Sequence, residues 1–223
     1  MRSNIDDVFK NKFCYENSDI LINKLDIRDA EELKKIEIGQ TAYKLSLLNL
    51  GDYSNIKQTW DVNHYLSIHK FLFEELYSFA GEYRDEDISK SCEPYSNDCT
   101  FFCPQDRVGK ELQKTLRNME DVYIRVNSRD RLVLFLSKFF IDLNLIHPFR
   151  EGNGRTMREF LREYVERINE RNNLNYEIDY TMDDNLKEQY MKASITLDKT
   201  LAYNVFDNIV KEKELNNEKS INL

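Results

Sequence analysis

The run His147-Pro148-Phe149-Arg150-Glu151-Gly152-Asn153-Gly154-Arg155 places an imidazole, a carboxylate, two glycines flanking an amide, and a guanidinium within nine positions, and Arg158 follows one helical turn later. His147 is the one group in this run that can take a proton near neutral pH. Glu151 repels phosphate unless it holds Mg²⁺, a hard cation satisfied by one carboxylate, waters and phosphate oxygens. Gly152 and Gly154 permit tight turning and close backbone approach to an anion, and Asn153 adds an amide donor. Arg155 and Arg158, at i and i+3, can hold successive phosphates. These parts together describe transfer of a phosphorus-bearing group from a nucleotide to a hydroxyl.

Each residue also has a plain structural reading. A lone His147 would be a satisfied structural histidine, and the two arginines would be a solvated helix face. His147 and Glu151 as a metal pair lack a third ligand at a suitable spacing. These readings fail jointly, because all would have to coincide in one loop.

The elements around the run must hold it as a loop entering a helix. Leu132 to Ile146 is apolar almost all round, the mark of a central helix. Pro148 disfavours the α region at His147, so that helix should end there. After Asn153 an apolar stripe (Met157, Phe160, Leu161, Tyr164, Val165, Ile168) restores helical spacing. The motif then lies at a helix N-terminus, where unpaired N–H groups and the helix dipole favour an anion.

Upstream, Asp29-Ala30-Glu31-Glu32 resembles a capping box opening a helix to about Leu50, stopped by Gly51. Asn63 to Ala80 has helical spacing and Gly81 ends it. Residues 85–104 read as strand, turn, strand; a hairpin this small must lie against something, either as a connector or as a flap over a site. Helices are expected at about 105–125, 130–146, 183–194 and 200–214, with a frayed tail at 211–223. The expected fold is mostly α, a helical bundle with one β-hairpin flap. It forms a single domain over 1–223, its core at about 29–200 and its C-terminal helix and tail at about 200–223.

Bulk composition narrows the function classes. Only six Gly and three Pro in 223 residues favour long helices, and 13 Phe with 13 Tyr supply ample core. A net charge of −8 argues against a general nucleic-acid surface. The first residues show no secretory core, and the longest apolar run carries Lys138 and Asp142 and is too short to cross a bilayer, so a cytoplasmic location is expected. Cys92, Cys99 and Cys103 lack the paired spacing and neighbouring His of a zinc site, and read as reduced thiols.

The run from His147 to Arg155 with Arg158 resembles the full signature of Fic-domain proteins. The similarity extends to Asn63–Arg84, including Ile68-His69, Leu72-Phe73 and Phe79 to Arg84, and to Ile88-Ser89-Lys90 as a flap strand. Tyr15 to Leu50 is similar to the lead-in of small bacterial Fic toxins. The resemblance implies a protein adenylyltransferase that moves AMP from ATP onto a Tyr, Thr or Ser hydroxyl. It implies His147 as base, Glu151 on Mg²⁺, and Gly152, Asn153 and Gly154 as an anion hole. Arg155 and Arg158 would lie on the β- and γ-phosphates, Ile88, Ser89, Lys90 and Phe101 would form a target-docking flap edge, and Tyr190 would lie near adenine. Phosphorylating relatives carry Lys at the Gly154 place, which disfavours that chemistry. UMP or phosphocholine transfer, and an inactive nucleotide-binding module, stay open as alternatives. The family's inhibitory segment, Ser or Thr followed four residues later by Glu and then Gly or Asn, is not matched by Ser46–Gly51 or Ser89–Pro94. The resemblance therefore suggests a separate small antitoxin whose glutamate reaches Arg158, with oligomerisation or a degenerate internal segment as alternatives.

Overall fold

Helix α1, Ala30–Asn49, begins where Asp29 accepts the Glu32 amide at 2.8 Å, the N-cap bond the sequence predicts. Residues 13–53 and 56–214 are described by a computed structural model. Helix α2, Val62–Phe73, is capped by Asp61 and buries His64, Tyr65, Ile68, His69, Leu72 and Phe73. It stops short of the expected Ala80. The chain turns after Glu74, the Leu76 carbonyl accepts the Lys24 amide, and the Tyr77 and Phe79 rings stack at 4.9 Å. Leu76, which helical spacing had assigned to another turn, thus lies beyond the helix and is fully buried there.

The flap strands are β1, Ser89–Ser91, and β2, Cys99–Phe101, antiparallel with Ser89 opposite Phe101. Thr100 Oγ1 donates to the Ile195 carbonyl and Phe102 stacks on His147, so the hairpin is a flap seated on the site. A short 3₁₀ turn, Gln105–Arg107, leads into α3, Val108–Tyr123, whose buried side presents Val108, Leu112, Leu116 and Met119.

Helix α4, Arg129–Ile146, is the central helix. Leu132, Val133, Leu136, Phe139, Phe140 and Leu143 are all but fully buried. Helix α5, Asn153–Asn172, packs against α2 and α4, and its stripe residues Phe160, Leu161, Tyr164 and Ile168 are buried. Helices α6, Asp184–Thr196, and α7, Lys199–Ile209, complete the bundle, α7 lying along α4.

The C-terminal expectation needs correction. The last helix ends at Ile209, and β4, Val210–Glu212, pairs antiparallel with β3, Tyr176–Ile178. Lys213 is held to Glu166 at 2.6 Å, so 211–214 are not a loose tail. Three-residue strands are too short to show an alternation. This pair is fixed by tertiary contacts, in which Asn169 bonds both the amide and the carbonyl of Tyr176. Residues 1–12 and 215–223, on which the reading of the first residues and of the rest of the tail falls, lie outside the described residues. Among the described residues no helix is long and apolar enough to cross a membrane, and the four cysteines are free thiols.

Candidate active site

His147 ends α4 in the left-handed conformation, φ 46° and ψ 62°, because the following proline closes the right-handed region to it. Its Nδ1 lies 3.2 Å from the Asn144 carbonyl. A carbonyl only accepts, so Nδ1 carries the proton and Nε2 presents its lone pair. The ring stacks on Phe102 with centroids 4.0 Å apart. Burial pushes its pKa down to about 3, and the Lys90 and Arg84 charges act in the same direction against the Asn144 bond. His147 is therefore a neutral base at physiological pH.

The loop beyond it is locked from inside. Phe149 is fully buried between the parallel rings of His69 at 3.7 Å and Tyr65 at 5.8 Å. Asn153 folds back on the same residue: its Oδ1 accepts the Phe149 amide at 2.8 Å and its Nδ2 donates to the Phe149 carbonyl at 2.7 Å. Part of its amide capacity thus serves the loop itself. Gly152 caps α5 at φ 81°, and a Cβ there would sit 2.3 Å from the Phe73 ring, so conformation and space both demand glycine. Gly154 is different. It lies in the first turn of α5, and a Cβ would meet nothing within 4 Å; its bareness keeps the helix N-terminus open rather than making a turn.

Glu151 is 44% exposed, and its Oε1 accepts the Gly152 amide at 2.8 Å. Arg155 reaches that oxygen at 3.3 Å, pairs with Glu37 of α1 at 2.5 Å, and lies over the Phe73 ring at 4.8 Å. Arg158 sits 5.8 Å from the Tyr180 ring centroid, and burial raises the Tyr190 pKa against the smaller lowering effect of the Arg158 charge. Tyr190 is 5% exposed and packs on Phe140, so its ring belongs to the core. A cleft of about 280 Å³ opens beside Glu151, lined by Glu37, Tyr77 and Leu33 among others. In the flap, Ile88 and Ser89 are partly covered, Lys90 is exposed, and Phe101 is 70% exposed.

Three residues central to this geometry had no assigned role in the sequence. Glu37 holds Arg155 and accepts the Tyr77 hydroxyl. His69 accepts the Gly81 amide on Nδ1 at 2.8 Å, so its Nε2 carries the proton and donates to the Glu151 carbonyl at 3.0 Å. Arg84 is buried beneath His147. A histidine on the apolar face of α2 was a visible signal for the second. The first and third depend on pairings across 118 and 63 positions, which no local pattern reports.

The Fic/DOC family model matches residues 59–165, from just before α2 through most of α5. The probable protein adenylyltransferase Fic of Escherichia coli K12 is 27% identical over 152 residues, 68% of this chain and 70% of that protein. Protein adenylyltransferase VbhT of Bartonella schoenbuchensis is 31% identical over 142 residues, 64% of this chain but 28% of its own length. Among solved structures, BepC of Bartonella tribocorum with bound AMPPNP superposes with a TM-score of 0.73 at 18% identity, over 91% of this chain and 97% of that one. The N-terminal Fic domain of a Bartonella quintana putative cell filamentation protein with bound ADP gives 0.74 at 21%, over 91% and 95%. Such identities carry the fold, and the family match identifies residues 59–165 as a Fic/DOC domain.

Proposed function

We propose that this protein is an adenylyltransferase that moves AMP from ATP onto a Tyr, Thr or Ser hydroxyl of a target protein. The observation that carries the reading is a neutral His147 with its Nδ1 proton committed to the Asn144 carbonyl, in the loop that enters a helix N-terminus furnished with Glu151, Arg155 and Arg158. His147 Nε2 takes the hydroxyl proton, the oxygen bonds to the α-phosphorus, and the bond to the bridging oxygen breaks with release of pyrophosphate. The amides at the start of α5 and the two arginines stabilise the charge that develops on the phosphates. Names given to the relatives support this donor and reaction.

The residues present fit a Mg²⁺ ion. Glu151 is half-exposed, with Oε2 not used by the Gly152 and Arg155 bonds to Oε1. Among the described residues no cluster of three acidic, His or Cys groups offers an all-protein cage, which matches an ion held by one carboxylate, waters and phosphates. When bound, it would neutralise charge on the α- and β-phosphates. Exposed Lys90 and Phe101 support the flap edge as the place where a target segment adds as a strand. Among the described ion pairs Arg158 has no carboxylate partner, in contrast to Arg155. This fits inhibition by a small antitoxin supplying a glutamate there, and recovery of active protein from its native operon with no small partner would remove that part of the reading.

The test is labelling of lysate proteins from ATP carrying its label at the α-phosphate, with Mg²⁺, for wild type and His147→Ala. Bands lost in the variant and outcompeted by ATP support AMP transfer. Competition by UTP or CDP-choline instead would move the donor, and bands that persist in His147→Ala would remove the histidine from the chemistry.

A further inference from the structure

We infer that Arg84 is a positioning residue that fastens both roots of the flap to the peptide of His147, so that the flap and the base move as one unit. Arg84 is 3% exposed. Its Nε donates to the His147 carbonyl at 2.8 Å, its Nη1 to the Glu86 carbonyl at 2.6 Å, and its Nη2 to the Cys103 carbonyl and, at 3.3 Å, to that of Ile146. Glu86 precedes β1 and Cys103 follows β2, so these are the two stems of the hairpin. Ile146 and His147 are the end of α4. Two backbone bonds reinforce the junction: the Arg84 amide to the Pro148 carbonyl at 2.8 Å, and the Cys103 amide to the Leu145 carbonyl at 2.9 Å.

The chemistry explains why an arginine stands there. The last carbonyls of a helix have no partners within it, and a left-handed glycine beyond the end usually lets the following amides cover them. Here the left-handed residue is His147 and the next is Pro148, which has no amide hydrogen to offer. A buried cation at the negative end of the α4 dipole takes over that role. Only a planar fork with five donors reaches carbonyls in three segments at once; an ammonium has three donors on a single atom. The Phe102 ring stacked on the imidazole adds a second link between the same two parts. Displacement of the hairpin by an engaged segment is thus transmitted to the His147 peptide through rigid bonds rather than through solvent.

The inference rests on the adenylyl-transfer reading for its consequence in catalysis, whereas its structural content is testable without activity. Native-state hydrogen exchange on the wild-type chain reads the amides of Arg84, Phe102, Cys103 and His147. One unit requires that they share an opening free energy and a denaturant slope. In Arg84→Lys, exchange should rise at both flap stems and at 145–147 together, by roughly tenfold to a hundredfold for the loss of charged hydrogen bonds. The Phe160–Ile168 amides of α5 should be unchanged, ATP affinity should stay within about twofold, and kcat for AMP transfer should fall by a similar roughly tenfold or more. Different denaturant slopes at the flap stems and at His147 in the wild type, or a change confined to one of them in Arg84→Lys, overturns the inference. Should the variant fail to fold, the wild-type slopes decide alone. A wild type that transfers no AMP refutes the proposed function and leaves the exchange result standing.

Discussion

Acidification should destabilise this protein through one buried histidine in α2. His69 is fully buried, with Nδ1 accepting the Gly81 amide and Nε2 donating to the Glu151 carbonyl. Protonating Nδ1 would set two N–H groups against each other. Burial, helped by the Arg155 charge, lowers its pKa from 6.5 to about 4, against the opposing effect of the Glu151 carbonyl. The unfolded chain takes up this proton near pH 6.5 and the folded chain resists until about 4. Over that window the unfolded state binds more protons, so stability is full above the window and falls as pH falls. With about 1.4 kcal/mol per pKa unit, the whole window is worth roughly 3 kcal/mol, of which about 2 are lost by pH 5. Urea denaturation of wild type and His69→Gln at about pH 7 and pH 5 isolates this share, since glutamine keeps a donor toward Glu151 and cannot titrate. The variant should be weaker at pH 7 and should lose about 2 kcal/mol less on acidification. Parallel losses in both proteins would refute the assignment.

Three further outcomes follow from the loop. Gly152→Ala combines a left-handed backbone with a 2.3 Å approach to Phe73, for a loss of about 2–4 kcal/mol in thermal or urea denaturation; Phe73→Leu in the same chain should recover part of it, and no recovery would discredit the steric account. Asn153→Ala leaves the buried amide and carbonyl of Phe149 without their side-chain partners, at roughly 1–3 kcal/mol for each group, measurable as faster exchange of the Phe149 amide. Because His147 is already neutral at low pH, kcat/KM for transfer should show no limb from a group titrating near 6.5 as pH falls from about 8 to about 5; such a limb in the wild type, with the His147 imidazole seen by NMR to titrate along it, would contradict its lowered pKa.

Much of the site was legible because its chemistry is contiguous. From His147 to Arg158 every group lies within a dozen positions, and Pro148 and Gly152 state where one helix must end and the next begin. The central helix was visible from its apolar circumference, and α1 from its cap. Less legible were features made by distant pairings. Helix α2 ends earlier than its spacing suggests, and beyond it the Leu76 carbonyl accepts the Lys24 amide while Tyr77 and Phe79 stack on each other. The β3–β4 pair joins segments more than thirty positions apart through three residues each.

By itself, then, the amino-acid order pointed to a reaction class and determined the helix–loop–helix that carries the motif and a hairpin nearby, since those depend on side-chain type and local backbone preference. Only the tertiary structure decided the state of those groups. Asn144 chooses the His147 tautomer, burial under Phe102 with Lys90 and Arg84 nearby sets its charge, Glu37 occupies Arg155, and the Tyr190 ring is packed into the core against Phe140. Proton affinity and ion pairing depend on distance and dielectric in space, and neither is a function of separation along the chain.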